Sequence, residues 1–387
     1  MWQIPLMRSS FVVGIVVALL ATRADAEPAG HDFIAEAKAL LVVGACAEGE
    51  LPPQIKPALV AAHCKRVRAA QADYRASWLA RASVFFAAHV PASIPKVVVY
   101  PFAGGDLATA LAVYPDADEI TTLSLEPAGD PRALARLDAR QLRSSLATVA
   151  TELRSLYRAN FSVTMNMIGA MRSGKLPTQL IFGLSALTIH GYEPVSLRYF
   201  QLTPDGALRY LTTADLERID AIKDIGKRNR ELANIELRFK KHGSSREQTY
   251  RHIMANLDDQ HLAADPAALR HLERKGNVSA MTKAASYLLS FDNFSTMRTY
   301  LIDHVQWMVS DSTGLPPKYG KPAGFEYETH GEFGSSNMKA GGEVTPAWRA
   351  MYAEQPKRPL AFRFGYPDGK FRGHLIIMRK PTAATTR

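Results

Sequence analysis

The sequence predicts an α/β fold: a Rossmann-like, mostly parallel sheet with helices on both faces, an N-terminal helical extension and a C-terminal hairpin. Three observations carry this expectation. Residues 96–102, KVVVYPF, are a β-branched run of the buried-strand type. The turn Ala103-Gly104-Gly105-Asp106 follows, then a short helical stretch, then a second strand-like run at 119–125, EITTLSL. Strand, glycine turn, helix and strand in this order make a βαβ unit, and such a crossover belongs to a parallel sheet. The composition agrees. With 47% hydrophobic and 22% charged residues, the chain is an ordinary globular one, which excludes wholesale disorder, collagen and a coiled-coil rod.

Residues 1–26 read as a leader outside the fold. Arg8 gives a basic start, residues 11–21 are apolar, and Ala24-Asp25-Ala26 is an A-x-A cleavage site. The apolar run is about half the roughly 20 residues that a spanning helix needs, and no later stretch reaches that length. A cleaved signal peptide implies a periplasmic or extracellular protein with no transmembrane segment after cleavage. Export sets the context for the two cysteines, Cys46 and Cys64, since an oxidising compartment favours their pairing. They flank the Pro- and Gly-rich stretch 48–57, so a disulfide would staple that turn for about 3 kcal/mol.

Residues 27–95 form the helical extension. Tyr74, Trp78, Phe85 and Phe86 fall at helical spacing and read as a core-facing stripe. Residues 96–320 form the α/β domain. Within it, 131–174 is helical with a break near 159–162, and 178–190, TQLIFGLSALTIH, starts like a strand. Residues 194–210 read as a hairpin around Pro204-Asp205-Gly206. Residues 235–240 and 250–257 are further strands, and 265–274 is a helix with Asp265 as cap and Pro266 at its first position. Residues 281–289 fit either strand or helix, and 294–309 reads as a helix. Residues 314–342 look like a long loop. The segment 321–387 completes the domain, with two strands at 360–378 around Tyr366-Pro367-Asp368-Gly369.

One constellation carries a mechanism. A glycine turn after the first strand lets backbone approach a ligand, and an acid about 20 residues further on, at the end of the second strand, accepts bonds from ribose hydroxyls. Here the turn is Phe102-Ala103-Gly104-Gly105-Asp106 and the acid is Glu126. The stretch VYPFAGGDLATALA resembles the first motif of S-adenosylmethionine-dependent methyltransferases, and LSLEPAG resembles their second strand. That resemblance implies their scaffold, and S-adenosylmethionine as its ligand. It departs at Tyr100, where the family carries an acid, and at Asp106, where it carries a glycine. The family's catalytic Asn/Asp-Pro-Pro-Tyr/Phe motif is absent. The same residues, with KAASYLL at 283–289 and DSTGLP at 311–316, also resemble a group of exported bacterial proteins of no assigned activity.

The expectation is therefore a non-catalytic or degenerate methyltransferase-like domain. It would bind a small polar ligand or an envelope protein in a crevice lined by Phe102, Gly104, Gly105, Asp106 and Glu126. Asp106 at a helix start disfavours phosphate and favours a neutral or cationic ligand. An active methyltransferase is one alternative, though its methyl donor is made inside the cell. A hydrolase is the other: Gly183-Leu184-Ser185 loosely resembles a nucleophile elbow, but the second glycine is missing. His190 and His252 are candidate bases. Asp258, Asp259 and His261 follow one strand, and His190 and Glu193 follow another, yet no metal-ligand spacing occurs and no metal is expected. The formal net charge is +10, but the basic clusters do not interleave with aromatics, so no nucleic-acid partner is expected.

Overall fold

The computed structural model of the chain describes residues 30–159, 175–333, 344–365 and 373–381. The expected leader, the break near residue 160 and the turn at 366–369 lie outside these. Among the described residues ten strands form one sheet: β1 Val97–Tyr100, β2 Glu119–Ser124, β3 Tyr192–Leu202, β4 Leu208–Tyr210, β5 Asn234–Lys241, β6 Glu247–Met254, β7 Val278–Thr282, β8 Val305–Ser310, β9 Glu326–Gly331 and β10 His374–Arg379. The helices are α1 Ile34–Val43, α2 Pro57–Tyr74, α3 Ala80–His89, α4 Leu107–Val113, α5 Ala139–Ala159, α6 Thr178–His190, α7 Thr213–Asp220, α8 Ile225–Glu231, α9 Asp259–Ala264, α10 Ala267–Glu273, α11 Ser295–His304, α12 Pro317–Gly320 and α13 Thr345–Glu354.

The spatial order is β4-β3-β5-β6-β2-β1-β7-β8-β10-β9. The central strands β6, β2, β1, β7 and β8 are parallel, as the glycine-turn unit predicts. Numbered along the chain among themselves they run 3-2-1-4-5, a doubly wound order whose direction reverses between β1 and β7. Both flanks are antiparallel: β5, β3 and β4 on one side, β10 and β9 on the other.

Alternation along the strands divides the core in two. Val98 and Tyr100 enter one cluster with residues of α1 to α6, and Val99 enters the other with residues of α9, α10, α11 and α13. The N-terminal helices thus share a core with the sheet. A single turn of π-helix, Arg75–Leu79, joins α2 to α3. Cys46 and Cys64 are disulfide-bonded, tying the end of α1 to α2. No helix among the described residues is long and apolar enough to cross a membrane.

Four segments differ from expectation. Residues 178–190 are a helix throughout, α6. It packs against α1, α4, α5 and β3, and nearly every residue is buried. A helix covered on all sides has no polar stripe, so its period is hidden. Residues 294–309 split into helix α11 and strand β8 with no Gly or Pro to mark the change. The expected loop at 314–342 contains α12 and β9; as an edge strand, β9 carries polar residues that disguise it. The expected terminal hairpin supplies one strand, β10, which pairs with β8 and β9. Residues 360–365 form no strand. Trp78 Nε1 and Arg81 Nη1 donate to the carbonyls of Arg363 and Ala361 (2.5 and 3.2 Å), and His374 N donates to the Phe364 carbonyl (3.3 Å), so side chains and a single backbone bond hold this segment.

Candidate functional site

In an open α/β sheet the ligand crevice lies outside the carboxyl ends of the strands, at the point where strand order reverses. Here that point lies between β1 and β7. β1 ends at Tyr100. Phe102 then takes φ +59°, a left-handed conformation uncommon for a bulky residue, and Ala284, just past the end of β7, takes φ +58°. Asp106 caps α4, accepting from Thr109 N (3.4 Å) and Thr109 Oγ1 (2.7 Å).

A buried polar floor joins these chain exits. The Lys283 ammonium, on the segment after β7, is ion-paired with Asp106 and donates to Thr109 Oγ1 (3.1 Å); the Lys283 side chain is 1% exposed. Tyr100 donates its hydroxyl to Asp106 Oδ2 (3.2 Å), and burial, then the Asp106 carboxylate, push its ionisation well above the usual phenol range. Past β8, Asp311 accepts from Ala284 N (2.8 Å), Thr313 N (2.9 Å) and Thr313 Oγ1 (2.5 Å). It thereby holds the strained Ala284 backbone. Phe364 lies under the Lys283 ammonium, 5.6 Å from the ring centre. Gly365, at φ +76°, passes so close to Asp311 that any Cβ would clash. The floor joins the glycine-turn unit to the two sequence motifs at 283–289 and 311–316. Lys283 and Asp311 are its central charges, and the sequence reading gave neither a role.

Most of the five expected crevice residues lie in the interior among the described residues. Gly104, Gly105, Asp106 and Glu126 are buried, and Phe102 is half-buried against Phe294. α6 lies over the glycine turn: Gln179 Nε2 donates to the Gly104 carbonyl (2.8 Å), and Phe182 lies where a Gly105 side chain would be. Glu126 accepts at its main-chain oxygen from His252 Nε2 (2.7 Å), and burial holds His252 at about 4. The cation that Asp106 calls for comes from the chain itself, as Lys283.

The open space lies further along the same edge. A cleft of about 1070 Å³ is lined by Trp78 and Tyr157 from the helices and by Thr329, Gly331 and Phe333 at the end of β9. Gly373, just before the antiparallel β10, also lines it, which places the cleft at the carboxyl edge. Among the described residues Arg81, Lys357, Arg358 and Arg363 line it, against one acid, Glu332. Among the described residues no carboxylate lies within ion-pair distance of these four cations. Phe333 stacks on Tyr352 at the rim (4.1 Å between centres), and the π turn sets Trp78 stacked on Tyr74 below.

Ser185 sits inside α6, fully buried, accepting from Gln71 Nε2 (3.0 Å) and Tyr157 Oη (2.6 Å). A nucleophile elbow needs a strand-to-helix turn, and this position has none. His190 ends the same helix and donates to the Ala108 carbonyl (2.9 Å). Asp258 caps α9 and bonds its own neighbour His261 (2.8 Å), and Asp259 holds the start of α11 through Ser295 and Thr296. The chain matches no protein family, no curated protein and no solved structure.

Proposed function

We propose that the chain is an exported ligand-binding domain on a Rossmann-like, methyltransferase-like scaffold that transfers no methyl group itself. Its ligand is a small polar anion with a flat or apolar part, bound in the carboxyl-edge cleft. The observation that carries this reading is the cleft's lining: four cations, none with a carboxylate within ion-pair distance among the described residues, together with the rings of Trp78, Tyr157, Phe333 and Tyr352. Guanidinium groups match carboxylates and phosphates, and aromatic faces accept planar groups. The 3-2-1-4-5 strand order, and the antiparallel β10 set between β8 and β9, support the scaffold. The Cys46–Cys64 disulfide supports export.

The residues at the glycine turn do not fit S-adenosylmethionine. Its sulfonium is a cation, and the buried Lys283 ammonium already neutralises Asp106. Gln179 and Phe182 cover the two glycines.

The test is native mass spectrometry of the full chain expressed with its own leader, before and after gentle unfolding. A small anion should accompany the wild type and be absent from the Arg363→Glu variant. Retention of the same anion by that variant, or a wild type with no bound small molecule and no thermal shift with nucleotides or citrate, removes the reading. Saturable binding of S-adenosylmethionine would restore the methyltransferase alternative.

A further inference from the structure

We infer that His89, Glu328 and His330 form a binding site for a first-row divalent metal ion of the zinc class, joining α3 to the edge strand β9. One donor atom from each of the three residues lies within 4.8 Å of the other two. Glu328 and His330 are two apart on β9, so both project from one face of the strand. His89 is the last residue of α3 and meets them from the helical layer.

The protonation chemistry suits a ligand set. The Phe85 carbonyl oxygen can only accept, so the 2.8 Å bond from His89 Nδ1 places the ring proton there and leaves the Nε2 lone pair available. Metal-bound histidines commonly hold their other nitrogen on a backbone carbonyl in this way. His330 Nε2 lies 2.9 Å from Glu328 Oε1. Two donors at the tetrahedral angle around zinc, with bonds of about 2.05 Å, stand roughly 3.3 Å apart, so the pair opens by about half an ångström to admit an ion. To ligate through Nε2, neutral His330 moves that proton to Nδ1, with no net charge released. The rings are held: Phe85 stacks on His89 (4.0 Å) and meets His330 edge-on (4.9 Å). His330 is 4% exposed, while Glu328 keeps a path to solvent.

The charges around the site set its limits. Arg379 Nη1 is 3.9 Å from Glu328 Oε2, and Arg358 faces both Glu328 and His330. Two imidazoles and one carboxylate favour zinc, cobalt or nickel over magnesium or calcium, which take oxygen donors. A second group, Cys46, His63 and Cys64, cannot offer thiolates while its sulfurs are bonded to each other.

The experiment is calorimetric titration of the tag-free, non-reduced full chain, stripped of metal, with zinc chloride at neutral pH. Zinc should bind one ion per chain, and magnesium and calcium should give no heat. Cobalt should show visible bands of nitrogen and oxygen ligation without a thiolate charge-transfer band. His89→Ala and Glu328→Gln should each weaken zinc by at least about tenfold, a loss at least as large as that for an outer-shell partner. Glu328→Gln is nearly isosteric and guards against a variant that fails to fold, and circular dichroism checks both. Absence of zinc binding, binding unchanged in both variants, or binding that appears only after reduction with a thiolate band would each overturn the assignment.

Discussion

Where β1 and β2 end, the polar groups turn inward. Asp106 is consumed by Lys283, Thr109 and Tyr100, the Gly104 carbonyl by Gln179, and the surface above is helix α6. Where β9 and β10 meet the same edge, a cleft is lined by Gly331, Phe333 and Gly373 among the described residues. Arginines and aromatic rings face a cleft of about 1070 Å³. Both regions stand on the same edge of the sheet, but only the first lies at the point where strand order reverses, so topology alone favours ligand binding there. The difference is the inserted helix. A glycine turn can serve as structure once another element packs over it, and under the proposed reading binding lies further along the edge, at the cleft.

The largest expected effect tests whether the floor is structural. Lys283→Met leaves the Asp106 carboxylate buried without its ammonium, which costs roughly 3–5 kcal/mol. Urea unfolding should show the loss, and adding Asp106→Asn should restore most of it. A single variant as stable as wild type would mean that the floor is open to water, and would reverse the contrast between the two regions. Acid gives the next effect. Burial holds His252, under α6, at about 4 in the folded chain, against an ordinary value of 6.5. Between those values the unfolded chain binds the proton and the folded chain does not, so stability falls as pH drops from 6.5 to 4. His252 alone accounts for about 3 kcal/mol, and it adds no further loss below pH 4. Unfolding midpoints measured across that range should decline; a flat profile would mean that His252 is reached by solvent.

The βαβ unit was legible because a buried parallel strand is a dense β-branched run and its turn needs glycine. Both signals are local. The disulfide was legible because the expected leader implied an oxidising compartment for two cysteines. The sealing of the crevice was not, because it depends on Phe182, a residue far along the chain whose own helix looked like a strand. Lys283 and Asp311 stood inside segments already noticed as motifs. Their pairing with Asp106 and the Ala284 backbone is long-range and leaves no spacing signature. His89, Glu328 and His330 were missed for the same reason: Glu-x-His on an edge strand gives no ligand pattern until α3 brings the third residue.

Gly105→Ala tests the seal itself. A Cβ there would lie 2.1 Å from Phe182 Cδ2, so the ring or the helix must shift. Overpacking of this kind costs roughly 1–3 kcal/mol. Phe182→Ala in the same chain should recover part of it, measured as a non-additive change in unfolding free energy. If Gly105→Ala leaves stability unchanged while abolishing ligand binding, the glycine turn is the binding site after all.

Ser185→Ala should give the smallest change, and it separates a core serine from a nucleophile. The hydroxyl accepts from Gln71 and Tyr157, so removal leaves two buried donors to find other partners. That predicts a loss of about 1 kcal/mol in urea unfolding, with the ligand complement of the cleft unchanged. Burial raises the Tyr157 hydroxyl's ionisation above the phenol range, so it is a neutral donor at working pH and cannot act as a base toward Ser185. A fluorophosphonate probe should therefore leave Ser185 unlabelled in the folded protein. Labelling of Ser185 that Ser185→Ala abolishes, in a chain with native circular dichroism, would make α6 part of a reactive site, with the helix no longer only a cover over the glycine turn.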